Sequence, residues 1–129
     1  MKKHIFAIFA FACLVLANTP AEAGNISVAI SRYDVEAYGN STGNDKFGII
    51  RLYKDSSTAV VAYLNFHRVT STMPAARVSQ DSSNRVQAHY LSTDWADFLM
   101  LLDDRGTLNF TYDATYKTVR LTRHATVTP

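Results

Sequence analysis

The residues of this chain whose types could support chemistry are few. Beyond the first 23 positions there are three histidines, His67, His89 and His124, and two close acidic pairs, Asp34/Glu36 and Asp103/Asp104. A zinc site would have to draw on the three imidazoles, because the single cysteine, Cys13, lies in the N-terminal apolar run. The histidines fall on three separate strand-like segments, without His-x-His or His-Glu-x-x-His spacing, so no metal ligand set is expected. Asp34 and Glu36 share one face of a strand, about 7 Å apart. That spacing could hold a cation or supply a base, but the alternation around it reads more simply as a solvated edge. Asp103 and Asp104 are neighbours at a helix end and point apart.

Nucleophilic chemistry has little to build on. The serines gather in turns (Ser56-Ser57, Ser82-Ser83), and there is no Gly-x-Ser-x-Gly elbow. A Ser-His-Asp triad assembled from distant residues stays open, since its members need not be neighbours in sequence. Gly39 and Gly43 lack the Lys-Ser/Thr and following helix of a phosphate loop. No catalytic residue and no cofactor is therefore assigned, and a small hydrolase or metal-dependent enzyme is the weakest of three readings.

A binding surface is better supported. Arg51 and Tyr53 alternate on one segment, Tyr63, Asn65 and His67 on the next, and His89 and Arg120 lie on later ones. Tyrosine and arginine give large contact areas with polar tips and are favoured at interfaces. These seven residues are the candidate binding set, for another protein or a small ligand. If His67 and His89 are partly buried and neutral, stability should fall on acidification.

The elements that would position them are mostly strands. Ile26, Val28 and Ile30 alternate with small polar residues, and Tyr33, Val35 and Ala37 continue in the opposite phase. A bulge or bend near Ser31-Arg32 is the expected cause. Phe47–Lys54 and Thr58–Val69 read as a hairpin around the Asp55-Ser56-Ser57 turn, the latter strand central in the sheet. Ala75–Gln80 and Arg85–Leu91 are shorter strands about an Asp81-Ser82-Ser83-Asn84 turn. Trp95, Phe98, Leu99 and Leu102 follow helical spacing over about 93–105, with Ser92-Thr93-Asp94 as a capping start and Gly106 as the stop. Thr107–Tyr112 and Tyr116–Val127 form a closing hairpin. The expected class is α+β and mostly antiparallel β: six or seven strands, in a sandwich or partly open barrel, with one helix on the sheet. The absence of β-α-β alternation argues against a parallel sheet.

The first 23 residues read as a cleavable secretion signal. Lys2 and Lys3 precede an apolar run, Ile5–Ala17, and Ala21-Glu22-Ala23 supplies the small residues a signal peptidase requires. Thirteen residues make about 20 Å of helix, short of a bilayer core of about 30 Å. No later segment is apolar and long enough to span. Residues 24–129 would then form one small domain of about 106 residues, periplasmic or secreted, with eleven Lys+Arg against ten Asp+Glu and no cysteine. That near-neutral balance gives no basic footprint for nucleic acid. The expected function is an exported, non-catalytic binding protein, of a size that suits an inhibitor or immunity role. The alternative is a self-assembling structural protein, motivated by the uncharged stretch Ala59–Phe66.

Overall fold

A computed structural model describes residues 24–39, 45–55 and 58–125. The proposed signal lies outside the described residues. The elements, in chain order, are β1 (Ile26–Ala37), β2 (Lys46–Lys54), β3 (Val60–His67), β4 (Val78–Gln80), β5 (Val86–Leu91), a 3-10 turn (Ser92–Asp94), α1 (Trp95–Asp103), β6 (Thr107–Asp113) and β7 (Thr118–His124). The strands form one sheet in the order β4-β5-β3-β2-β1-β6-β7, curled into a half-barrel with the helix against its inner face.

The phase change in β1 is a bulge between Ile30 and Arg32. It lets one strand serve two neighbours: Ile26–Ile30 pairs with β6, and Ile30–Ala37 pairs with β2. The Ser31 hydroxyl at the bulge reaches the Asp55 carbonyl. β3 is paired on both sides, antiparallel to β2 and parallel to β5. The parallel pair departs from the antiparallel expectation. Its cause is the excursion of residues 68–77 to the sheet edge, where β4 forms a hairpin with β5 and inserts β5 between itself and β3. The uncharged β3 is thus interior, which removes it as an edge for self-assembly.

The inner face carries Ile50, Leu52, Ala62, Leu64, Phe66, Val86, Ala88, Leu108, Phe110 and Tyr112, joined by Leu102 from α1. Phe66 is fully buried and meets Trp95 edge-on at 4.9 Å and Phe98 at 5.2 Å. Tyr90 stacks on the same ring, and burial, with a contribution from Asp94, pushes its phenol up to about 12. Gly48 makes the approach of the helix feasible. A Cβ there would lie 2.6 Å from the Trp95 ring and 2.9 Å from the Glu36 carbonyl, so only glycine lets the indole lie on β2.

The helix is shorter than the apolar stripe implied. Ser92–Asp94 forms a 3-10 turn without a side-chain cap, in place of the expected capping start. At the other end the stop is supplied from a distance. Arg123 of β7 donates through Nε to the Leu101 carbonyl (3.2 Å), through a terminal nitrogen to the Leu102 carbonyl, and through Nη1 to the Gly106 carbonyl (2.8 Å). A cation here satisfies the orphan carbonyls and complements the negative end of the helix.

Candidate functional site

Because side chains alternate across a strand, the residues between the core positions of β2, β3 and β5 must project from the outer face. Register then sets who meets whom. Asp34 of β1, Arg51 of β2, Tyr63 of β3 and Gln87 of β5 lie in one row, and Glu36, Ile49, Asn65 and His89 in the next. Six of the seven candidate residues, Arg51, Tyr53, Tyr63, Asn65, His67 and His89, therefore share this face, while α1 covers the opposite one.

The face is a set of interlocked polar pairs. Arg51 donates to Glu36 Oε2 at 2.8 Å, and this bond holds the Glu36 carboxyl below its ordinary value and the guanidinium above its own. Tyr53 is buried and its hydroxyl donates to Asp34 Oδ2 at 2.8 Å, with the Arg32 guanidinium 4.0 Å over its ring. Tyr63 accepts from Arg85 at 3.2 Å, and Arg85 in turn holds Asp81 at 2.8 Å. Asp81 is slightly buried, which opposes ionisation, but two backbone amides and Arg85 outweigh this and lower its carboxyl. Asn65 is buried and its amide bridges Gln87 Oε1 (3.2 Å) and the Ala88 carbonyl (3.3 Å). The acidic pair Asp34/Glu36 is therefore bound to Tyr53 and Arg51, a poor arrangement for a general base.

His67 and His89 meet diagonally across the parallel pair, Nε2 to Nδ1 at 2.8 Å. Their ring centres are 5.1 Å apart, the separation of two imidazoles whose nitrogens point straight at each other. This is a hydrogen bond with one imidazole donating and the other accepting, which requires the accepting ring to be neutral. Two rings directing lone pairs at one ion, each about 2.0–2.1 Å away, would not face each other in this way. Among the described residues no three of His, Cys, Asp and Glu come together. His124 lies on β7 opposite Thr107, four strands from β3 in the sheet. Arg120 is likewise set apart: it is opposite Thr111 on β6 and lines a separate cleft of about 320 Å³ with Asn25, Ser27 and Asp113.

Burial lowers both histidine pKa values from about 6.5, and His89 is lowered further by His67. Lys46 and Arg77 act in the same direction on both, and Asp45 opposes them at His67. The unfolded chain then binds more protons than the folded one below about pH 6.5, so stability is full above that pH and declines as pH falls toward the folded-state values. The slope should be no steeper than about 1.4 kcal/mol per pH unit for each histidine. Urea midpoints measured from pH 8 to 5 should fall in the acidic half, and the double variant His67→Gln/His89→Gln should show a shallower fall. Equal slopes in the two proteins would refute the assignment.

Arg32, Asp81, Arg85 and Gln87 are members of this face that sequence reasoning did not nominate. Their signal exists only in the register: an alternating charged residue becomes part of a site when the row it occupies is known. No protein family matches this sequence, and no curated protein or solved structure is similar enough to serve as a relative.

Proposed function

We propose that the protein is an exported, non-catalytic binding protein that engages another protein through the outer face of β2, β3 and β5. The observation that carries this reading is the joint placement of Arg51, Tyr53, Tyr63, Asn65, His67 and His89 on one face, each already held by a hydrogen bond to a neighbouring side chain. Side chains ordered before contact lose little further freedom on binding, and Tyr and Arg are the residues that most often dominate interface energetics. Catalysis has less support: the hydrogen-bonding partner of each of His67 and His89 is the other imidazole, not a serine or carboxylate. Export rests on the Lys2-Lys3, Ile5–Ala17 and Ala21–Ala23 pattern.

The test uses the full chain, secreted by its own host, with a photo-crosslinking residue at Tyr63 or, as control, at the exposed Tyr116. A partner should be captured from position 63 and not from 116. In purified form its affinity should drop about tenfold or more in Arg51→Ala/Tyr63→Ala, with the fold intact by circular dichroism. No capture from position 63, or equal capture from both positions, would overturn the proposal.

A further inference from the structure

β1 contains a segment whose sequence asks for burial that the fold does not supply. From Arg32 to Ala37 charged and apolar residues alternate: Arg32, Asp34 and Glu36 on the outer face, Tyr33, Val35 and Ala37 on the inner. Such alternation marks a strand with one covered side. Yet Tyr33 is 37% and Val35 43% exposed, in phase with the fully buried Leu52 and Ile50 beside them. β6 stops at Ile30, so among the described residues nothing pairs with β1 on that side from Ser31 to Ala37. The Tyr38 amide donates to the Phe47 carbonyl across to β2. By the two-residue period, the amides and carbonyls of Glu36, Asp34 and Arg32 also face β2, and those of Ala37, Val35 and Tyr33 face outward. Among the described residues the result is an open edge, with a row of outward backbone groups that no described strand pairs and an apolar inner side.

We infer that this edge pairs with the same edge of a second copy of the chain, antiparallel, about a twofold axis at Asp34. The open segment, Ser31–Ala37, is centred on Asp34, so this register uses its whole length and keeps the second copy's open segment, which ends with β1 at Ala37, clear of the part covered by β6. In it, Tyr33 and Val35 of one copy fall opposite Val35 and Tyr33 of the other, exchanging backbone hydrogen bonds and closing the apolar side. Arg32 of each copy falls opposite Glu36 of the other, two complementary cross-strand pairs. The competing axis at Val35 sets Asp34 against Glu36 twice. An axis at Tyr33 drives the second copy into the stretch already held by β6. The one like-charge contact, Asp34 with its counterpart, is moderated because Asp34 accepts from Tyr53 and lies 3.8 Å from Arg32. The contact extends the sheet through both copies and leaves the row Arg51–Tyr63–Gln87 uncovered, so it is separable from the partner binding proposed above.

The test is sedimentation equilibrium on protein purified from expression of the full chain. A monomer–dimer equilibrium is expected for the natural sequence. Val35→Pro removes an outward amide and should leave a folded monomer. Arg32→Glu and Glu36→Arg should each weaken self-association about tenfold or more, since both cross-strand pairs become repulsive. Mixing those two variants should restore a dimer, because the two acids of one copy then lie opposite the two arginines of the other. A protein monomeric at all concentrations, a dimer unaffected by Val35→Pro, or a mixture that stays monomeric would each overturn the inference.

Discussion

Phe66→Ala is expected to destabilise the protein by about 3–5 kcal/mol, the range for truncating a buried aromatic ring. Phe66 is fully buried at the centre of the inner face, and three other rings converge on it: Trp95 and Phe98 from the helix and Tyr90 from β5. Removing it takes away the transfer free energy of the ring and the edge-on contacts, and leaves a void between helix and sheet that surrounding side chains only partly fill. Phe66→Leu keeps most of the volume and should cost less than half as much. The single tryptophan, Trp95, lies against this ring, so urea unfolding followed by its fluorescence reads the same contact that is removed. A loss below about 1 kcal/mol would mean that the helix is not anchored through Phe66.

Gly106→Ala should cost about 3 kcal/mol, for a different reason. Gly106 joins α1 to β6 with a φ of +111°, a conformation that side-chain-bearing residues rarely adopt. A Cβ there would overlap the His124 carbonyl oxygen and stand 3.1 Å from the Ala125 Cα. The obstacle is backbone, which has no rotamer to change, so the closing hairpin β6–β7 must shift. Backbone strain of about 1–2 kcal/mol adds to the cost of that displacement. Arg123 binds the Gly106 carbonyl and the last helical carbonyls, so the shift also disturbs the helix end. Gly39→Ala, where nothing lies within 4 Å of the added carbon, should be neutral within about 0.5 kcal/mol. Chemical denaturation of the two alanine variants side by side checks the contrast, and comparable stability would show that Gly106 is not required.

Several features of this fold were legible in the chain because they are local. The change of phase between Ile30 and Tyr33 forecast a bulge, which is present. The hairpins β2–β3 and β6–β7 followed from turns flanked by alternating runs, and the helix from the Trp95-Phe98-Leu99-Leu102 spacing. The parallel β3–β5 pair was not legible. It depends on where the chain from 68 to 77 travels, and alternation carries no information about the direction of a neighbouring strand. The same limit applied to the helix start: Ser92-Thr93-Asp94 has the composition of a cap, but local tightening into a 3-10 turn took its place.

The face bearing Arg51, Tyr53, Tyr63, Asn65, His67 and His89 divides along the same line. The sequence by itself determined which side of each strand every one of these residues occupies, because the side-chain period of two is fixed by the backbone. Only the tertiary structure decided that the three strands lie side by side, that His67 meets His89 and Arg51 meets Glu36, and that Arg120 and His124 stand at the far edge of the sheet, on β7. Those contacts depend on strand order and register, which are set by the packing of Phe66, Trp95 and Phe110 on the opposite face.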